Sequence, residues 1–317
     1  MGTASAPVVA SSAAPVAAID CGTNSTRLLV SDASGQPIER LMQITRLGQG
    51  VDATGRLAPE AIERTLAVLT EYRSVMDRLG VERGRLAATS AARDAANGAE
   101  FLAAAGRVTG IEPELLTGIE EGRLSLAGAV ADLDPVDGPF LVVDIGGGST
   151  ELVAGADAND PDLTAVSLQM GCVRMAERFL ATDPPAASEL AAAAAEVATQ
   201  IERAISAHPQ FVTARRLVGL AGTVSTIASL EVEMTDYDRD LVHHVVLTAD
   251  HVRRWRDVLA SDTAAERLAR PGMVPGREDV IVGGVLVLDG VMSALCFTEC
   301  LVSEADILDG LIASQLA

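Results

Sequence analysis

Two short stretches of the 317-residue chain carry the same spacing of acid, glycine and hydroxyl. Asp144 ends an apolar run, and Gly146, Gly147, Gly148, Ser149, Thr150 and Glu151 follow before apolar residues resume. Asp20 also ends an apolar run, at 16–19, and Gly22, Thr23, Asn24, Ser25 and Thr26 follow before the apolar residues 28–30. Both read Asp-x-Gly-x-x-Ser-Thr between apolar strands, 124 residues apart. Glycine lets a backbone come close to a ligand, and successive N–H groups in such a turn form a concavity for an anion. Asp144 and Glu151 are oxygen donors of the kind a hard divalent cation takes, often while it also bridges to phosphate. The chemistry these residues suit is the gripping of phosphoryl groups from two sides.

An echo at this distance predicts two similar α/β halves facing each other rather than a short-period solenoid. A strand at 217–220 running into Ala221, Gly222, Thr223 and a helix supplies a third small-residue turn of phosphate-binding type. A strand at 85–90 leads into a helix start at 91–97. This places Arg93 at the carboxyl edge of a sheet, where α/β folds bind ligands; an exposed helix arginine would read the same. Glu120 and Glu121 sit together where a strand at 111–116 turns into a helix running through Val130. Neighbouring like charges raise each other's pKa and suit a base to neutral pH, although acids in a first helical turn also simply complement the helix dipole. Other expected elements are a strand at 36–47, helices opening at Pro59 and spanning 98–107 and 187–207, an apolar helix within 280–298, a strand at 299–303 and a helix at 304–316. Ser188 is the expected cap of the 187–207 helix. His243 and His244 are expected on a strand, facing opposite sides and so unfit as joint metal ligands. The stretch 131–139, rich in Asp and Pro, reads as a linker. It divides a first half, 1–133, from a second, 134–303, with the C-terminal helix 304–317 packing back on the first.

Composition narrows the partners. The chain is 49% apolar, 3% aromatic and carries a formal charge of −20, with every basic residue an arginine. That balance argues against nucleic-acid binding, which needs a basic face. A polyanionic ligand would need local arginines, backbone N–H groups and a cation. No uninterrupted apolar run is long enough to span a membrane. The Ala-, Ser- and Pro-rich residues 1–15 lack the basic start of a secretory signal and read as a floppy tail. The four cysteines show no metal spacing and read as reduced thiols of a cytoplasmic protein.

Taken together and in this order, Asp20 to Ser25, Arg46 to Gly50, Ala88 to Asn97, Gly118 to Leu124, Asp144 to Glu151 and Gly219 to Thr223 resemble the Ppx/GppA family of exopolyphosphatases and guanosine pentaphosphate phosphohydrolases. The resemblance covers nearly the whole chain from Val16 onward. It implies an α/β fold of two ribonuclease-H-like (actin-like ATPase) domains with a cleft between them. It implies that Glu121 is the catalytic glutamate acting on water, and that Asp144 and Glu151 hold Mg²⁺ (or Mn²⁺). It also implies that Arg93, Thr23, Asn24, Ser25, Gly146, Gly147, Gly148 and Ser149 grip substrate phosphate, with Gly222 and Thr223 lining the second half. The expected partner is inorganic polyphosphate or guanosine pentaphosphate, with a homodimer as the oligomer. Longer relatives carry a further C-terminal helical region that extends the substrate channel. This chain ends where that region would start, which leads us to expect a preference for short polyphosphate. An actin-like ATPase or sugar kinase and a non-catalytic phosphate sensor are the competing readings.

Overall fold

The computed structural model describes residues 14–317. The tail expected at 1–15 therefore falls, for residues 1–13, outside the described residues. The elements in chain order are β1 (Val16–Cys21), β2 (Ser25–Ser31), β3 (Pro37–Ile44), α1 (Val51–Thr54), α2 (Pro59–Leu79), β4 (Arg83–Ala88), α3 (Ser90–Asp94), α4 (Gly98–Thr109), β5 (Pro113–Leu115) and α5 (Gly118–Ala129). There follow β6 (Phe140–Ile145), β7 (Thr150–Gly155), β8 (Thr164–Leu168), α6 (Cys172–Phe179), α7 (Ala187–Ala207), β9 (Arg216–Leu220), α8 (Ala221–Glu231), α9 (Arg239–Val242) and β10 (Val246–Thr248). The chain ends with α10 (Ala249–Ser261), α11 (Ala264–Leu268), α12 (Ile281–Ala294), β11 (Glu299–Val302) and α13 (Ile307–Leu316).

The strands form two sheets of one design. In the first the order is β3-β2-β1-β4-β5, with β1 antiparallel to β2 and parallel to β4. In the second, β8-β7-β6-β9-β11 repeats that path and β10 adds an antiparallel edge. Again the hairpin pair β6–β7 is antiparallel and the next neighbour, β9, is parallel. Both sheets are thus ribonuclease-H-like, the architecture expected of an actin-like ATPase fold. The central strands β1 and β6 are buried along their whole length, which is why they read as continuous apolar runs rather than alternating ones. Both run out into a turn at the same edge of their sheet.

The helix that matters most is α5, because it carries Glu121. It packs against β7 and β8 of the second sheet and against α13, which itself lies on β1 and β2 of the first. The crossing of α5 and α13 is close: a Cβ at Gly310 would stand 2.1 Å from the Leu124 carbonyl oxygen, so only glycine fits there. Among the described residues no helix is long and apolar enough to cross a membrane.

Two local expectations are corrected. Helix α7 is capped at Ala186, not Ser188: Glu189 reaches back to accept from the Ala186 N–H at 2.8 Å. This supplies the acidic half of a capping box without the hydroxyl. His243 and His244 are not on a strand. They follow α9, His244 has φ 66°, and the left-handed backbone stacks the two rings at 3.8 Å instead of opposing them.

Candidate active site

The β1–β2 and β6–β7 turns meet across a cleft that opens between the two sheets. A Cβ at Gly147 would lie 2.8 Å from Thr23 Cβ and 3.2 Å from the Asn24 nitrogen, so glycine is what allows the turns to touch. Each turn has its carbonyl oxygens tied back into the protein. Thr23 O accepts from Gly48 N–H, and Asn24 O from Thr45 and Arg46. Gly146 O accepts from Cys172, Gly147 O from Val173 and Arg174, and Gly148 O from Gly171. The N–H groups of Thr23, Asn24, Gly147 and Ser149 donate to no acceptor among the described residues. Two sets of free donors therefore face one cleft lined by both turns, which is the arrangement of an anion nest. The first turn of α8, with Gly222 and Thr223, contributes a third wall.

Strand register explains the acids. Asp144 is the cross-strand partner of Glu151, and in the same position of the first hairpin Asp20 partners Arg27. Directly opposed residues of an antiparallel pair point to one face. The first hairpin thus neutralises its acid internally: Arg27 donates from Nη2 to Asp20 Oδ2 at 2.6 Å and also binds Asp306. The second hairpin holds two acids and no base. Asp144 Oδ2 accepts from Ser125 Oγ at 2.6 Å, and Glu151 Oε1 from Ser167 Oγ at 2.7 Å. Burial pushes Asp144 up to about 6, against that hydrogen bond. Glu151 is driven above the carboxylate range by burial and by Asp144.

Glu120 and Glu121, adjacent in sequence, go to different surroundings. Glu120 is exposed and closes a capping box with Thr117, which holds its pKa low. Glu121 turns inward and is buried. Burial raises its pKa well above the carboxylate range, followed by Glu151, Asp144 and Asp20. Glu120 is not among the causes; it serves the helix start, as the alternative reading of acids in a first turn expects. Arg93 Nη1 lies 3.5 Å from Glu121 Oε2 and donates to Leu116 O. It thus stands beside the glutamate and is not among the residues that line the cavity.

Of the residues singled out from sequence, Thr23, Asn24, Ser25, Glu121, Asp144, Gly146, Gly147, Ser149, Gly222 and Thr223 line the cavity. Gly148 faces Ser90 at the turn contact, and Glu151 lies one strand behind Asp144. Several cavity residues were not foreseen, among them Ser90, Cys172 and Arg277. Arg277, from the loop before α12, is half-buried against Gly222 and donates from Nη1 to Gly222 O and Thr226 Oγ1. Its loop has no periodicity to mark it, and it lies 55 residues from Gly222 in the chain.

Three buried carboxylate oxygens, Asp20 Oδ1, Glu121 Oε2 and Glu151 Oε2, have no hydrogen-bond partner. Such atoms call for a cation. Among the described residues no three of these acids converge within 4.8 Å, so at most two of them could bind one divalent cation together, the remaining ligands coming from other oxygen donors. Asp132, His243 and His244 do converge, but His243 Nδ1 accepts from the Glu304 N–H at 3.1 Å. The ring proton therefore sits on Nε2, facing Asp132 Oδ2 at 2.9 Å. A metal on Nε2 would force that proton onto Nδ1, against the Glu304 N–H. The trio is a hydrogen-bonded tie joining the α5–β6 crossing to the β11–α13 crossing.

The family model described as "Ppx/GppA phosphatase family" matches residues 29–317. Exopolyphosphatase 2 of Mycobacterium tuberculosis is 42% identical over 315 residues, covering 94% of this chain and 98% of that protein. A solved structure described as an exopolyphosphatase-like protein superposes with a TM-score of 0.89 at 35% identity, covering 95% of this chain and 98% of the other. An exopolyphosphatase from Cytophaga hutchinsonii superposes with a TM-score of 0.85 at 25% identity, covering 95% and 97%.

Proposed function

The chain belongs to the Ppx/GppA phosphatase family, and on that premise we propose that it is an exopolyphosphatase, releasing terminal orthophosphate from inorganic polyphosphate by attack of water. The observation that carries this reading is the pairing of two turns with free N–H groups, in contact through Gly147 and Thr23, beside the buried Glu121. Phosphoryl transfer asks a protein mainly to position the group and stabilise its charge. The turn N–H groups and the first turn of α8 hold the phosphoryl oxygens. Glu121, held above the usual carboxylate range, takes the proton of the attacking water, a role worth about 10²–10⁴-fold in rate. Arg93 fixes its carboxylate. Asp144 and Glu151 would hold a divalent cation, Mg²⁺ or Mn²⁺; in the first hairpin Arg27 pairs with the matching acid through Asp20 Oδ2. The cation supplies charge neutralisation on the phosphoryl oxygens.

The test is orthophosphate release from tripolyphosphate, long-chain polyphosphate and guanosine pentaphosphate, measured in parallel with Mg²⁺ and with Mn²⁺. We expect release from polyphosphate to dominate. Release from guanosine pentaphosphate alone would replace the reading with a nucleotide phosphohydrolase, and ADP release from ATP dependent on an added sugar would replace it with a kinase.

A further inference from the structure

Resting on the exopolyphosphatase reading, we propose that the Arg46–Asp279 ion pair sets the length of polyphosphate the cleft accepts. The main cavity continues outward into a second recess, and the two share Thr23, Asn24 and Val280 as common walls. A chain whose terminal phosphoryl lies beside Glu121 and whose body passes Val280 enters this recess. There it meets Arg46, Glu177 and Asp279. Arg46 is already engaged: Nη1 donates to Asp279 Oδ2 at 2.6 Å and Nη2 to Oδ1 at 3.2 Å, the bidentate fork with which guanidinium also binds phosphate. Glu177 accepts from the Gly50 N–H at 3.0 Å. The exit thus offers two acids and one arginine already neutralised, an unfavourable path for a polyanion.

The pair is placed for this role. Arg46 holds a left-handed backbone, φ 50°, uncommon for a residue with a side chain. Its N–H donates to Asn24 O at 2.9 Å, so the conformation is fixed by the phosphate-binding turn itself and aims the side chain across the cleft. Relative exposures of 30% and 43% leave both side chains within reach of a ligand. A solvent-exposed pair contributes little and is exchangeable. Chains too short to reach the recess leave the pair intact. Longer chains must displace Asp279 from Arg46 and pass Glu177.

The test compares KM for tripolyphosphate and for long-chain polyphosphate in the wild type, Asp279→Asn and Arg46→Gln. Asp279→Asn frees the arginine for substrate, and KM for the long chain should fall about three- to fivefold, as expected for an exposed charge pair. Arg46→Gln leaves the acids alone, and KM for the long chain should rise. Tripolyphosphate kinetics should change less than about twofold in either variant, which also shows that both fold. A pair serving only to latch the two halves together would make the variants behave alike on both substrates; that result, or an unmoved long-chain KM, overturns the inference. If the wild type hydrolyses neither polyphosphate, the exopolyphosphatase reading fails with it. If it hydrolyses both and the ratio stays fixed, only the chain-length inference fails.

Discussion

Stripping divalent metal from the protein and raising the pH from about 4 to about 7 should destabilise it, through buried carboxylates that must ionise away from water. Asp20, Glu121, Asp144 and Glu151 are all buried, and burial is the first cause holding each above its ordinary range. Asp144 gives the scale, since its pKa rises from 3.8 to about 6. Below the lower value both folded and unfolded chains keep the proton, and the group contributes nothing. Between the two values the folded protein retains a proton that the unfolded chain has lost, so stability falls as pH rises. Above the upper value the loss is complete, about 3 kcal/mol at roughly 1.4 kcal/mol per pH unit. Glu121 and Glu151 extend the fall toward neutrality. Acids held low, such as Asp52 beside Arg178 and Asp306 beside Arg27 and Arg40, act the other way. Their contribution changes only below the ordinary carboxylate pKa, outside the window. With about 2.1 cal/mol/K of unfolding entropy per residue, a chain of 317 residues converts about 3 kcal/mol into about 5 °C of melting temperature. Scanning calorimetry in chelator across this pH range should show a fall of that size or more. Saturating Mg²⁺ should flatten the slope, and Asp144→Asn should reduce it in the chelated protein. A melting temperature that rises with pH in chelator, or a slope indifferent to Mg²⁺, would refute the reasoning.

Gly147→Ala places a Cβ 2.8 Å from Thr23 Cβ, so the two turns must part. Misplacing a reacting group by about 1 Å can cost about 100-fold, and kcat/KM on polyphosphate should fall by at least about tenfold; wild-type turnover would show that the turn contact is dispensable. Arg93 lowers the pKa of Glu121, so Arg93→Ala should move the acid limb of the pH–rate profile to higher pH, and an unmoved limb would separate the two residues functionally.

The two hairpins were legible in the sequence because they combine two strong local signals. Glycine at fixed offsets marks a turn, and unbroken apolar runs on either side mark strands buried on both faces. The repeat of that pattern also announced that the two sheets would share one order. The 187–207 helix was legible from its alanine-rich helical pattern and matches α7 to the residue. Other features depended on long-range packing. Glu120 and Glu121 look equivalent in sequence, but only one lies on the face of α5 that meets β7. The sequence places Arg93 at the carboxyl edge of the sheet, but its contacts with Leu116 O and Glu121 come from residues more than twenty positions on and carry no local signal. Arg277 and the Arg46–Asp279 pair join loops separated by long stretches of chain, and nothing local to either partner points to the other. The stacking of His243 on His244 arose from a left-handed residue with no glycine to signal it.

The most direct measurement is orthophosphate release from tripolyphosphate by Glu121→Gln beside the wild type, with Mg²⁺ present and substrate affinity measured separately. We expect turnover to fall about 10²–10⁴-fold, the worth of a positioned general base, while affinity and melting temperature stay close to the wild type because the turns that hold phosphate are untouched. Turnover retained near the wild-type rate would contradict the assignment of Glu121 as the base.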